Sequence, residues 1–218
     1  RAIRRNAQDI LREFVMTFVS FFAKKQIIIA VLFLLLFRLP EALLTPVSQL
    51  FLQALPSKGG LGLSPQEFGL VNGTVGVIGF LVGGIIGGML ISRDGLKKWL
   101  WPMTLAITIP NLTYVYLAYV MPENLMLINV CVAIENLGYG FGFSAYMLFM
   151  IYFSQGEHKT SHYALCTGLM ALSMMLPGLF AGALAQAAGY RLFFIIVMIS
   201  CLLPFCVASF LKIDANFG

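Results

Sequence analysis

A chain of 218 residues that is 60% hydrophobic and 11% charged lacks the polar side chains a water-soluble domain needs, since globular chains are about a quarter charged. Its charges gather in short clusters between long apolar runs, the pattern that a lipid solvent selects. The formal charge of +5 does not point to nucleic acid, because the basic residues flank apolar segments, where headgroups and topology account for them.

The chain opens Arg1-Ala2-Ile3-Arg4-Arg5, with neither an initiator Met nor a signal peptide, and is expected to be a piece of something longer. Residues 1–25 read as an amphipathic helix. Ile10, Leu11, Phe14, Phe18 and Phe22 recur at helical spacing, with Arg4, Arg5, Arg12 and Glu13 off that stripe. Such a helix lies along the headgroup boundary as a cytoplasmic linker.

Six apolar segments follow, at 26–54, 66–91, 99–120, 124–154, 161–187 and 190–211. Each reaches or exceeds the ~20 residues that cross a ~30 Å hydrocarbon core. Ser64-Pro65-Gln66-Glu67 predicts a capping box with proline at the first helical position. Met121-Pro122-Glu123-Asn124 predicts a tight turn, and Ala188-Gly189-Tyr190 a glycine stop. Residues 26–213 are therefore expected to form one six-helix transmembrane bundle, with 214–218 as a cytoplasmic tail.

Eleven of the 14 Lys and Arg residues fall on one side: Arg1, Arg4, Arg5, Arg12, Lys24, Lys25, Arg93, Lys97, Lys98, Lys159 and Lys212. Only Lys58 and Arg191 fall on the other, and Arg38 lies within the first span. Both termini are expected to be cytoplasmic. Gly84, Gly88 and Gly95 have the spacing of Gly178, Gly182 and Gly189, offset by 94 residues. That match points to two inverted three-helix units, residues 26–120 and 124–211.

A charge at the bilayer centre costs from ~2.5 to more than 10 kcal/mol and must face a partner or water. Arg38 and Glu41 share a helix face, and Arg38 is about 20 Å above the cytoplasmic end. Glu135 is about 16 Å from the external end of the fourth span, so an Arg38–Glu135 pair with Glu41 nearby is expected. The functional reading is a substrate-anion or proton site; the alternative is a buried ion pair that fixes helix packing. Gly138, Gly140 and Gly142, interleaved with Tyr139, Phe141 and Phe143, fit either ligand approach or close helix packing. Gly79, Gly83 and Gly87 repeat every four residues and read as packing.

His158 and His162 lack further ligands and read as solvated loop residues, so no metal is expected. The four cysteines, Cys131, Cys166, Cys201 and Cys206, sit in apolar runs without a CxxC pair and read as packing residues. No Walker loop, nucleophile elbow, HExxH or dinucleotide fingerprint occurs, so neither an enzyme nor a bound cofactor is expected.

The stretch Gly88-Met89-Leu90-Ile91-Ser92-Arg93-Asp94-Gly95-Leu96-Lys97-Lys98 resembles the loop signature between helices two and three of each half in the major facilitator superfamily. It departs from the family where Ser92 replaces an acid and Leu96 opens the basic pair; Asp94 is the residue able to stand in. Glu135-Asn136-Leu137-Gly138-Tyr139-Gly140 and the run from Thr160 to Gly189 resemble AmpG-like permeases of the peptide/acetyl-coenzyme A transporter branch.

The resemblance covers residues 1–213 and implies the C-terminal half of a twelve-helix fold in the bacterial inner membrane, with an N-terminal six-helix half as its partner. It implies proton-coupled muropeptide uptake, with Arg38, Glu41, Glu135, Asn136 and Tyr139 facing the central cavity. A carrier of another solute (a coenzyme A ester, a sugar or an organic anion) and a non-transporting membrane scaffold or embedded enzyme stay open.

Overall fold

The computed structural model describes residues 7–214, with side chains for Arg12 and for 15–214. Arg1, Arg4, Arg5, the side chains of Ile10, Leu11 and Phe14, and the end of the tail lie outside the described residues. Those described form helices joined by short turns, without a strand. We number the helices α1 (Ala7–Phe22), α2 (Ile27–Gln53), α3 (Pro65–Asp94), α4 (Leu96–Val120), α5 (Leu125–Ser154) and α6 (Lys159–Phe210). The last five are long and apolar enough to cross a membrane. Their outward faces are apolar, as with Ile78, Leu81, Ile85 and Met89 on α3 and Leu176, Leu179 and Phe180 on α6. The chain is an integral membrane protein.

The predicted capping box is present at the start of α3. The Ser64 hydroxyl accepts from the Glu67 amide while the Glu67 carboxylate accepts from the Ser64 amide at 2.8 Å, with Pro65 at the start of α3. Five continuous apolar helices stand where six segments were expected, because the fifth and sixth run together as α6. At 52 residues a straight α6 would measure ~78 Å, more than twice the hydrocarbon thickness. Its backbone leaves helical geometry at Gly189, with φ 75° and ψ 158°. Gly95, between α3 and α4, has nearly the same conformation, φ 85° and ψ 154°. Essentially only glycine occupies that region, so the 94-residue match joins positions with one shared backbone requirement.

The core is divided in two. One apolar cluster gathers Phe33, Leu34 and Phe37 of α2 with Met103 and Ile107 of α4 and Tyr146 and Phe149 of α5. The other gathers Leu44, Val47 and Phe51 of α2 with Tyr114 and Leu117 of α4, Val132 of α5, and Ala181 and Phe194 of α6. Along α2, α4 and α5 the boundary between them falls at Arg38–Glu41, Asn111 and Glu135–Asn136. The polar side chains thus form a layer at mid-height.

Close packing of α3 on α5 fixes that layer. A Cβ on Gly140 would lie 2.0 Å from the Phe80 carbonyl oxygen, and one on Gly83 would lie 2.1 Å from that of Leu137. Gly138 and Gly142 press on α4, where a Cβ would meet the Ala106 carbonyl oxygen at 2.2 Å and Ile107 Cβ at 2.5 Å. The glycines of α5 therefore serve helix packing on both sides. The Ser144 hydroxyl donates to the Gly84 carbonyl at 3.0 Å across the same contact.

His162 corrects the reading of the histidines. It is buried, not solvated, with a ring nitrogen 3.0 Å from the Ser20 hydroxyl and its ring edge-on to Phe21. It holds α1 against α6, so the buried face of α1 runs through Thr17 and Phe21, while Phe18 and Phe22 of the predicted stripe point outward.

The packing contrast is testable by thermal unfolding in detergent. Gly140→Ala must displace backbone and is expected to cost about 1–3 kcal/mol, whereas Gly88→Ala, with nothing within 4 Å of the added carbon, is expected to be neutral. Equal midpoints for the two variants would contradict the close α3–α5 contact.

Candidate functional site

Pro40 shapes the site. Its ring excludes a helical hydrogen bond to Leu36, and α2 is interrupted at Phe37-Arg38, where Arg38 has φ −101° and ψ 9°. The interruption leaves the Leu34 carbonyl open to a side chain, and the Tyr146 hydroxyl donates to it at 2.6 Å. A break at this depth is tolerated because protein groups satisfy the freed backbone.

Arg38 is buried and does not pair with Glu135 or Glu41. Among the described residues, neither carboxylate forms a salt bridge; those present are the Asp94 bridges of the α3–α4 loop. The guanidinium carbon lies 4.5 Å from the Phe143 ring centre and 5.6 Å from those of Tyr139 and Tyr146. One of its terminal nitrogens donates to the Tyr139 hydroxyl, and Nε has no partner. A cage of aromatic faces replaces the expected carboxylate, an attraction worth about 2 kcal/mol or more when desolvated.

Glu41 and Glu135 face a cavity of about 260 Å³. Asn72, Tyr114, Asn136, Tyr139, Thr45, Ser48 and Gln49 share its wall. Glu41 is 1% exposed and its Oε1 has no hydrogen-bond partner. Asn111 and Arg38 stand beside it. Glu135 accepts from the Asn136 side-chain amide at 2.8 Å, and the same amide nitrogen donates to the Val132 carbonyl at 3.0 Å. The two carboxylates are near enough to feel each other's charge.

Of the five residues singled out from the sequence, Glu41, Glu135, Asn136 and Tyr139 meet at this cavity, while Arg38 lies behind Tyr139, off its wall. Gln49, Asn72, Asn111 and Tyr114 were missed. A signal existed for part of this set: Glu41, Thr45, Ser48 and Gln49 follow i, i+4, i+7, i+8 spacing, a polar stripe on an otherwise apolar span. Asn72 comes from the opening of α3, where Gly69–Gly76 is wound as a wider π-helix. Such windings recur at functional sites, but no residue pattern announced this one.

The loop motif forms a separate cluster. Asp94 bridges Arg93 at 3.1 Å and Lys98 at 3.3 Å, and accepts from the Trp99 indole at 3.0 Å. Asp94 is thus the hub of the turn around Gly95. Lys97 and Gly88 take no part in that hub.

No protein-family model matches the chain. It is 26% identical over 175 residues to "Putative transporter AmpG 1" of Rickettsia prowazekii, a match covering 79% of this chain and 38% of that protein. It is likewise 26% identical over 176 residues to the "Anhydromuropeptide permease" of Escherichia coli K12, covering 81% and 35%. An uncharacterized protein of Haemophilus influenzae is 24% identical over 201 residues, covering 88% and 46%. The homologues that carry a functional name are AmpG-like transporters. The chain spans less than half the length of these relatives.

Tyr139→Phe removes the hydroxyl that Arg38 reaches and keeps the ring. The expected loss is about 1–3 kcal/mol, because a buried charged donor is left without its acceptor. Thermal unfolding in detergent measures it, and an unchanged midpoint would show that the rings alone hold the guanidinium.

Proposed function

We propose that the chain is the C-terminal bundle of a secondary transporter that couples proton entry to muropeptide uptake by alternating access. The observation that carries the proposal is the charge inventory of the mid-height layer. Glu41 and Glu135 face one cavity while the nearby guanidinium of Arg38 pairs with neither, which leaves their charge unmatched. A proton is the smallest species that balances it, and a layer between two apolar clusters is where a mobile charge must be neutral to cross. Tyr139 stands between Arg38 and the cavity, so rotation of that ring would bring the guanidinium to the carboxylates and favour release of the proton.

In this reading the two arms of α6 on either side of Gly189 are separate spans. The fold is then six helices in two inverted units of three, supported by the matched conformations of Gly95 and Gly189. Helix α1 is the cytoplasmic linker from an N-terminal six-helix half, both termini are cytoplasmic, and the bacterial inner membrane is the location. The cargo rests on the permease named above, at 26% identity. A carrier of a different solute, such as a coenzyme A ester, a sugar or an organic anion, fits the same cavity wall and is the second reading.

The test is uptake of labelled anhydromuropeptide into proteoliposomes holding the intact protein, with and without an inward proton gradient. Gradient-driven uptake is expected, and in Glu135→Gln it is expected to fall to the leak of protein-free vesicles while the thermal midpoint stays within a few degrees. Full gradient-driven uptake by that variant would remove Glu135 from coupling. Movement of another labelled solute with no muropeptide uptake would select the second reading, and movement of none would favour a scaffold.

A further inference from the structure

A second cleft, of about 430 Å³, opens where α1 turns into α2 and where α5 and α6 end. Lys24, Lys25, Gln26, Phe153, Gln155 and Lys212 line it. The muropeptide reading makes no use of it.

The three ammonium groups are not equivalent. Lys24 Nζ donates to the carbonyls of Phe153 and of Gln155, the latter at 2.8 Å, and sits 5.2 Å from the Phe153 ring centre. It is committed to the negative end of α5. Lys25 and Lys212 are exposed and, among the described residues, form no salt bridge. Gln26 joins α1 to α2 at φ 62°, one of two non-glycine residues in the left-handed region among those described. That rare turn sets Lys24 and Lys25 at one cleft, and such strain gathers at binding sites.

Apolar side chains are exposed one step deeper. Ile28, three residues past Lys25, is 73% exposed, and Phe210, two residues before Lys212, is 60% exposed. Leu32 continues the same exposure on α2. Uncommitted cations bordered by outward hydrocarbon match a molecule that carries an anionic phosphate on an acyl chain.

We propose that this cleft holds the phosphate of an anionic phospholipid, with Lys25 and Lys212 as its ligands and Gln26 and Gln155 as flanking donors. The site ties the α1–α2 junction to the end of α6 through the bilayer itself.

The experiment is native mass spectrometry of the intact protein released from vesicles of equal parts phosphatidylglycerol and phosphatidylcholine. Retained phosphatidylglycerol is expected to exceed phosphatidylcholine, and in the Lys25→Gln, Lys212→Gln double variant that excess is expected to fall on the order of tenfold, with the detergent thermal midpoint unchanged. The headgroup comparison needs only the unaltered protein, so a double variant that fails to fold leaves the test intact. Equal retention of the two lipids, or an undiminished excess in a folded double variant, would overturn the proposal. Displacement of the lipid by millimolar inorganic phosphate would assign the cleft to free phosphate and overturn the lipid reading as well.

Discussion

An ionised side chain cannot stay in hydrocarbon without a partner, and that constraint organises this molecule. The bundle has two apolar clusters, and a layer containing Arg38, Glu41, Asn111, Glu135 and Asn136 separates them. Each member of the layer is settled differently. Arg38 is surrounded by the faces of Tyr139, Phe143 and Tyr146, Glu135 is held by the amide of Asn136, and Glu41 keeps one oxygen without a partner beside the cavity. The backbone follows suit. Pro40 interrupts α2 at the level of this layer, and the glycines of α5 let α3 and α4 close on it from two sides. Close helix packing thus surrounds a polar layer that is incompletely satisfied.

The aromatic cage changes what Arg38 can do. A guanidinium locked in a salt bridge would neutralise one carboxylate permanently. Here the cation is stabilised without a carboxylate, and among the described residues both acids stay outside any salt bridge. The cage also includes a ring of the cavity wall, Tyr139.

Much of this was legible in the residues, for reasons that differ by position. The capping box at Ser64 and the glycine turns at Gly95 and Gly189 were readable because only a few residue types solve those local problems. The charges at 38, 41 and 135 were readable because lipid makes any charge conspicuous. The choice of partner for Arg38 was not, since a distance along a helix gives depth but not azimuth, and three aromatic rings on α5 offered an alternative that the carboxylates could not exclude. The burial of His162 depended on α1 folding back onto α6, a tertiary contact with no periodic signature. The π-helical winding that delivers Asn72 was likewise silent, because glycines at 69, 73 and 76 permit it without requiring it.

The central claim is that Glu41 and Glu135 border a water-accessible cavity at the depth of the polar layer, with Arg38 sealed off from it. Thiol labelling by a charged, membrane-impermeant maleimide measures this directly, in intact protein whose native cysteines have been replaced. Gln49→Cys and Asn72→Cys, on the cavity wall, are expected to label, and Phe143→Cys, against Arg38 and off that wall, is expected to resist until the protein is denatured. Labelling at position 143 with protection at 49 and 72 would contradict the account.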